Sequence, residues 1–314
     1  MLNFLIRRLL SLAVTLWLVS VLIFLVIQII PGDPAQVVLG LQATPENLAK
    51  VREEMGLNKP PLVRYAAWLN GVVRGDFGRS LNYHVSVGEL ILTKLGVSGP
   101  LTGLAMLFTL VIALPLGIFA ATHHRRLGDY GTMLFSQVGL AVPTFWAGIL
   151  LMILFSVKLR WLPSGGFSDW SKDPLQSLRS LFLPALSLSL VQAAIITRMT
   201  RSAMLEVLNE DYVTTARSKG LVERIVIYKH ALKNAFISII TLLGLQSGQL
   251  LAGAIIIEAV FHLPGMGDLV VKSIGQRDLP MVQGIVMFIA VVIVVVNFAV
   301  DLIYGYLDPR IRYN

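Results

Sequence analysis

The sequence predicts an all-α membrane protein with six transmembrane helices, and two observations support this. Of the 314 residues, 55% are hydrophobic and only 14% are charged, whereas a soluble domain carries about 25% charge. Long apolar segments alternate with polar ones along the chain. Each apolar segment is long enough to cross, as a helix, the roughly 30 Å hydrocarbon core of a bilayer.

The first apolar segment covers residues 9–30 and follows the basic pair Arg7 and Arg8. A cleaved signal peptide is the alternative, but its apolar region would be about 7–15 residues long, with a small-residue cleavage site after it. The sequence Pro-Gly-Asp-Pro follows instead, at residues 31–34. We therefore expect residues 1–30 to form an inner tail and an uncleaved first span.

The next region, residues 31–95, is mixed and polar, and we expect an extracytoplasmic insertion there. A short helix is predicted over residues 44–55, because Thr44 is a suitable cap and Gly56 a suitable stop. A second short helix is predicted over residues 62–73.

Five further spans complete a predicted transmembrane core of residues 96–306, followed by a short inner tail at 307–314. They cover residues 98–121, 132–157, 181–203, 235–260 and 281–306. Pro115, Pro143 and Pro184 lie in or at the ends of spans, where membrane helices tolerate kinks. Outside the long first loop, Lys and Arg concentrate on the predicted inner segments, so we expect both termini to be cytoplasmic.

Several kinds of chemistry have no motif in this chain. The net charge of +8 does not predict nucleic-acid binding, because Lys and Arg flank apolar segments instead of forming one stripe. There is no phosphate-binding Gly-x-x-x-x-Gly-Lys-Ser/Thr motif and no His-Glu-x-x-His. The absence of cysteine excludes thiol catalysis. We interpret the adjacent His123 and His124 as a basic turn, and we predict no catalytic residue, metal site or cofactor in the chain.

Ionisable residues within the spans are few. Glu258 and Asp301 lie near span ends, whereas a proton-coupled carrier usually needs carboxylates at mid-membrane. A stand-alone ion-coupled secondary carrier that uses these two residues is the alternative function. An intramembrane hydrolase is disfavoured, because no span interior holds a histidine. The chain therefore has the membrane spans expected of a transporter, and we expect a partner protein to supply the energy for transport.

The polar segment at residues 206–234 separates the fourth and fifth spans. Residues 206–220 have helical spacing, with Leu208, Tyr212 and Ala216 on one face and Gly220 as a stop. A second amphipathic stretch leads back to the membrane. Elementary physics leaves two possibilities open: the segment lies on anionic membrane lipid, or it enters a groove of a partner protein.

Residues 211–220 (DYVTTARSKG) resemble the cytoplasmic coupling loop of permease subunits of binding-protein-dependent ABC importers. Only Ala216, Gly220 and Leu232 fit the broad family pattern, and the sequence His-Ala-Leu-x-Asn at residues 230–234 favours the dipeptide, oligopeptide and nickel group. Further motifs that resemble this group lie at residues 31–34, 75–78, 198–202, 258–267, 277–280 and 308–312.

The resemblance implies a non-enzymatic transport subunit of the bacterial inner membrane. It would pair with a second, homologous permease and bind two ATPase subunits, which use ATP and Mg. An extracytoplasmic binding protein would deliver the solute: peptides, or the nickel complexes, glutathione and other solutes carried within the group. The residues expected to couple to the ATPases are Glu210, Asp211, Tyr212, Thr215, Ala216, Arg217, Lys219 and Gly220.

Three further assignments stay open. Amide side chains are candidates for the wall of the path, although each suits an interhelical hydrogen bond equally well; they are Gln192, Gln246, Gln249 and Asn297. Residues 31–95 would dock a partner or guide solute, or would only cover span ends. Residues 261–267 form either a re-entrant element near the pore mouth or an ordinary tight turn.

Overall fold

The computed structural model describes residues 2–29, 34–39, 43–54 and 56–307. The Pro-Gly-Asp part of the motif at residues 31–34 and the motif at 308–312 lie outside the described residues. The described part of the chain is mostly helical, and it contains one isolated β-bridge, between Arg79 and Ser86.

Most of the helices follow one another closely, and two longer connections lie at residues 74–86 and 159–173. In chain order they are α1 (Leu2–Ile29), α2 (Pro34–Leu39), α3 (Pro45–Glu54), α4 (Pro61–Val73), α5 (Val87–Thr122), α6 (Leu127–Ala141), α7 (Thr144–Met152), α8 (Pro174–Leu208), α9 (Asp211–Ser218), α10 (Glu223–Ile225), α11 (Leu232–Val260), α12 (Met266–Gly275) and α13 (Leu279–Leu307). Two π-helical segments extend this set, Ile153–Lys158 after α7 and Val226–Ala231 between α10 and α11.

Five of the described helical segments are long and apolar enough to cross a membrane: Leu5–Ile29, Val87–Thr122, Pro174–Leu208, Glu223–Val260 and Leu279–Ile303. The predicted third span is instead two helices, α6 and α7 with its π extension, bent by 101°. The break falls at Val142 and Pro143, where Val142 is extended. Proline lacks the N–H that a continuous helix needs, and it disfavours the helical conformation of the preceding residue. The count is six spans if the bent pair crosses as one.

The short predicted helices are confirmed. The hydroxyl of Thr44 accepts a hydrogen bond from the backbone N–H of Asn47 at 3.3 Å, which caps α3. Gly56 follows the end of α3 with a φ of +64°, a conformation that suits glycine. α4 begins at Pro61, a favoured residue for a first turn.

The chain divides into two compact units, residues 1–98 with 264–295, and residues 99–263 with 296–314. In the first unit, the buried carboxylate of Asp278 joins two loops. It accepts hydrogen bonds from the hydroxyl of Ser80 at 2.5 Å and from the backbone N–H groups of Leu81 (3.3 Å) and Asn82 (3.2 Å). It also caps α13 through the N–H of Met281 at 3.2 Å. Two of the sequence motifs, at residues 75–78 and 277–280, therefore border the same clasp.

In the second unit, α8 is the central helix and its sides are largely buried. Neighbouring helices approach it through glycines. A Cβ atom built on Gly117 of α5 would lie 2.5 Å from Thr200, and one on Gly139 of α6 would lie 2.7 Å from Ala194. Small residues allow membrane helices to pack closely, so these glycines set the distances between α8 and its neighbours.

The residues around 261–267 form a tight turn followed by the ten-residue helix α12. Within the second unit, the carbonyl oxygen of Phe261 accepts a hydrogen bond from the N–H of Gly166 at 2.9 Å. A Cβ atom built on Gly165 would lie 2.6 Å from the same oxygen. The re-entrant element and the ordinary tight turn both stay predictions, because a turn followed by a short helix fits either.

Candidate coupling site

The short helix α9 occupies the centre of the polar segment between α8 and α11. The predicted single helix over residues 206–220 is wrong, because α8 ends at Leu208 and α9 begins at Asp211. The side-chain amide of Asn209 donates to the carbonyl of Leu205 at 2.8 Å, and Glu210 is extended. These local interactions stop one helix and start the next within two residues.

The buried face of α9 consists of Val213 and Ala216, which pack against Val226. Val207 and Leu208 of α8 complete this cluster. The predicted face of Leu208, Tyr212 and Ala216 is therefore only partly right, since Tyr212 is 41% exposed. The turn at residues 209–210 changes the direction of the chain, so helical spacing cannot be continued across it.

α9 ends in a Schellman motif. The N–H of Gly220 donates to the carbonyl of Arg217 at 2.9 Å, and the N–H of Leu221 donates to the carbonyl of Ala216 at 3.4 Å. Gly220 has a φ of +77°, which this motif requires of the residue after the cap. The predicted stop at Gly220 is confirmed.

Arg217 makes a two-pronged ion pair with Glu223 at the start of α10. Its Nη2 lies 2.8 Å from Oε1, and its Nε lies 3.2 Å from Oε2. The hydrogen bonds that Arg217 donates to the carboxylate of Glu223 raise the pKa of Arg217 above its already high ordinary value. The pair links α9 to α10 across the sharp turn at Gly220.

Tyr212 connects α9 to the start of α11. Its hydroxyl accepts a hydrogen bond from the side-chain amide of Asn234 at 2.7 Å. Tyr212 and Asn234 belong to the two separate parts of the motif discussed above, at residues 211–220 and 230–234. The structure therefore brings both parts of the motif into direct contact.

The remaining predicted coupling residues lie at the surface. Glu210, Asp211, Thr215 and Lys219 are exposed. The hydroxyl of Thr215 donates to the carbonyl of Asp211 at 2.9 Å. α9 thus has one face packed on its own chain and one polar, charged face open. Sequence reasoning missed Val213, Glu223, Val226 and Asn234, although the Asn at 234 is part of a motif that it used.

The candidate path residues lie on three helices of the second unit and differ in environment. Gln192 of α8 is only 7% exposed, and its Oε1 accepts no hydrogen bond within the described part of the chain. Gln246 of α11 and Asn297 of α13 are half-buried, and Gln249 of α11 is exposed. Gln249 shares an exposed face of α11 with the small or polar residues Ser238, Thr241 and Ala252 and with the aliphatic residues Leu245 and Ile256.

One solved structure is similar to this chain in its overall fold. The methionine ABC transporter MetNI, in an inward-facing conformation, is similar over 70% of this chain and 96% of the compared chain. The TM-score is 0.58 and the sequence identity is 18%. This likeness places the fold among those of ABC transporter membrane subunits.

Two family models match the sequence. Residues 113–313 match the binding-protein-dependent transport system inner membrane component, and residues 1–98 match the N-terminal region of the membrane component of such systems. The chain therefore belongs to the family of binding-protein-dependent transport system inner membrane components, the permease subunits of ABC importers. It is a multi-pass inner-membrane protein of the peptide group.

Curated relatives match over the whole length. The dipeptide transport system permease protein of Alkalihalophilus pseudofirmus is 39% identical and the di/tripeptide transport system permease protein of Pseudomonas aeruginosa is 40% identical. The glutathione transport system permease protein of Salmonella choleraesuis is 39% identical. In all three comparisons the match covers 100% of both chains. The carrier hypothesis based on Glu258 and Asp301 finds no support in these comparisons.

Proposed function

We propose that this permease subunit forms half of a translocation path, with a second homologous permease as the other half. Two ATPase subunits, which bind ATP and Mg, drive it by docking on α9. An extracytoplasmic binding protein delivers the solute. In this arrangement both termini and α9 face the cytoplasm, and residues 31–95 face outward.

The observation that carries this proposal is the way α9 is held. Val213 and Ala216 form its buried inner face. The Arg217–Glu223 ion pair links its end to α10, and Tyr212 is hydrogen-bonded to α11. Its opposite face is polar and exposed. A partner that moved this rigid element would move the ends of α8 and α11 with it, which is how an ATPase can change the state of a membrane bundle.

Cysteine cross-linking tests this docking. The chain has no native cysteine, so Thr215→Cys and Lys219→Cys each introduce a unique thiol on the open face of α9. We expect both variants to cross-link to the ATPase subunits in the assembled complex, and the yield to change when ATP is trapped. Lys172→Cys is the matched control, because Lys172 is also exposed but lies in the loop before α8.

Cross-linking to the ATPase from Lys172, and not from α9, would reject the docking proposal. Retained transport and ATPase docking in a variant with charged residues at both Thr215 and Ala216 would reject it independently. Ala216 is buried beside Val213 and Val226, so a charged residue there would displace α9.

We propose that the exposed face of α11 lines the path, with Gln249 at its centre. Lipid-facing helix surfaces are aliphatic, as the exposed Leu, Ile and Val residues of α1 are, whereas exposed polar side chains within a span indicate water or a protein partner. Gln246, Asn297 and Gln192, whose Oε1 accepts no hydrogen bond from the described residues, are further candidates for the wall. Gln249→Cys should react with a hydrophilic maleimide, and Val14→Cys on α1 should not. If neither cysteine reacts with the maleimide, Gln249 does not line the path.

We propose short peptides as the solute class. The relatives named above carry a dipeptide, di/tripeptide or glutathione designation, and these solutes share peptide bonds and free carboxylates. Uptake of radiolabelled dipeptides, tripeptides and glutathione by the reconstituted complex tests this. Selective uptake of a nickel complex or a sugar, with no peptide uptake, would overturn it.

We also propose that residues 31–95 provide the outer surface on which the binding protein docks. The Asp278 clasp supports this, because it holds the loop at residues 80–83 in one conformation. Loss of binding-protein-stimulated ATP hydrolysis, with basal hydrolysis retained, is the expected result of replacing the exposed residues of this loop. Unchanged stimulation would assign the region a covering role only.

A further inference from the structure

A buried ion pair joins the start of α6 to α8. Asp129 is only 2% exposed. The Nε of Arg201 lies 2.5 Å from its Oδ1, and the Nη2 of Arg201 lies 2.8 Å from its Oδ2. The Nδ1 of His124 lies 3.2 Å from Oδ2, and the N–H of Arg125 donates to the same oxygen at 2.9 Å. We call these four residues the Asp129 clasp.

The turn that carries the clasp is tightly packed. Arg125 has a φ of +62°, which is strained for a residue with a side chain, and its hydrogen bond to Asp129 holds it there. A Cβ atom built on Gly128 would lie 2.6 Å from the ring of Phe119, and the rings of Phe119 and His123 lie 4.4 Å apart. The connection between α5 and α6 therefore has little freedom to move independently of Arg201.

Packed side chains continue from the clasp to α9. Met204, less than one turn after Arg201, is fully buried in a cluster with Ala231 and Ala235. The last residues of α8, Val207 and Leu208, contact both this cluster and the cluster beneath α9. Side chains therefore pack continuously from α9 to the turn of α8 that carries Arg201, so a displacement of α9 can be transmitted to Arg201.

We infer that Asp129 and Arg201 are positioning residues that make the start of α6 follow the end of α8 when α9 is displaced. This inference rests on the proposed role of α9. Removing Arg201 leaves the buried carboxylate of Asp129 without its ion-pair partner, so separation of the pair is unfavourable. Because α6 leads directly into the break at Val142 and Pro143, its movement changes the bend between α6 and α7. The clasp thus extends the coupling from α9 to the bent pair.

Spin-label distances test whether α6 and α8 move together. Leu127 at the start of α6 and Glu206 near the end of α8 are exposed, and cysteines there can be labelled in an otherwise cysteine-free chain. We expect one label distance that is the same in the nucleotide-free and ATP-trapped complexes. With Asp129→Asn added, the distance should differ between the two states. A distance that changes between states in the chain with an intact clasp would overturn the inference.

The number of solute molecules transported per ATP hydrolysed provides a second test, because a purely structural role of the clasp would not change this ratio. Asp129→Asn and Arg201→Gln should each lower the amount of solute moved per ATP hydrolysed at least about fivefold, and the double variant should be no worse than either single variant. Arg126→Gln, which removes an exposed cation from the same turn, is the control and should leave the ratio unchanged.

An unchanged ratio in the clasp variants, with transport and hydrolysis reduced together, would mean that the clasp only stabilises the fold. Cross-linking at Thr215 separates the two proposals. Failure of that cross-linking rejects α9 as the docking element, whereas failure of the distance test with cross-linking intact rejects the clasp alone.

Discussion

Gly220 has a backbone conformation that most side chains reach only with strain. Its φ is +77°, and no other atom lies within 4 Å of the position that a Cβ would occupy. The constraint is therefore one of backbone conformation and not of space. This separates Gly220 from the packing glycines on α5 and α6.

Gly220→Val should destabilise the end of α9 by about 1–2 kcal/mol, because L-residues are strained in the left-handed region. Gly220→Asn should cost much less, since asparagine visits this region readily. Trypsin cleavage after Arg217 and Lys219 measures the opening of the segment, and it should increase for the Val variant only. Equal cleavage of both variants would show that the left-handed conformation does not control the segment.

The loop at residues 80–83 depends on hydrogen bonds to Asp278. Asp278→Ala leaves the N–H groups of Asn82 and Met281 and the hydroxyl of Ser80 without this acceptor, and each unsatisfied group costs about 1–3 kcal/mol when buried. We expect a lower thermal midpoint in detergent and faster trypsin cleavage at Arg79. Asp76→Ala is the control, because Asp76 is exposed and its carboxylate accepts one local hydrogen bond, from Gly78; it should change the midpoint little.

At the scale of helices, two glycines of α6 give a matched comparison. A Cβ built on Gly139 would lie 2.7 Å from the Cβ of Ala194, whereas a Cβ built on Gly131 would meet nothing within 4 Å. Gly139→Ala should destabilise the second unit by about 1–3 kcal/mol through overpacking. Gly131→Ala should be neutral or stabilising by up to about 1 kcal/mol, because alanine favours helix. Thermal unfolding of the purified protein measures both, and equal effects would contradict the predicted close contact of α6 and α8.

The sequence predicted most helices because apolar length and end signals such as Thr44 and Gly56 are local. It did not predict the break between α8 and α9, since the side-chain bond from Asn209 to Leu205 competes with a helical pattern that otherwise continues. Pro143 indicated a kink, but the 101° bend depends on the packing of α6 and α7 against α8.

The sequence marks the segment that carries the candidate site, but it does not predict which residues contact one another there. A motif marks residues 211–220, and the stop at Gly220 follows from residue type alone. The partners of the site residues lie far away in sequence: Tyr212 bonds Asn234, and Arg201 bonds Asp129, 72 positions earlier. A single sequence carries no signal for such pairings, because each polar residue would suit a solvated surface equally well.

At the scale of the whole molecule, the bent pair decides on which side of the membrane α9 lies. If α6 and α7 together cross once, α1, α5, the pair and α8 make four crossings before α9, which then lies on the side of the N-terminus. If the pair enters and leaves on one side, α9 lies on the opposite side. With a cytoplasmic N-terminus, the proposed docking of an ATPase on α9 therefore requires the pair to cross.

Labelling of single cysteines with a membrane-impermeant maleimide tests this. Leu127 begins α6 and is 89% exposed, and Trp161, which follows the π extension of α7, is 69% exposed. In intact cells Trp161→Cys should react and Leu127→Cys should react only after permeabilisation. The same reactivity at both positions would show that the pair does not cross.

The π-helical segment at Val226–Ala231 has a consequence for the phase of the helix that contains it. A π turn accommodates one extra residue, and one residue corresponds to about 100° of rotation in an α-helix. Val226 and Ala231, five positions apart, would otherwise lie on widely separated faces, yet both are fully buried, one beneath α9 and the other beside Met204. The single extra residue thus rotates the part of the helix before it relative to the part after it. One continuous helix can therefore pack both against α9 and against α8 near Met204.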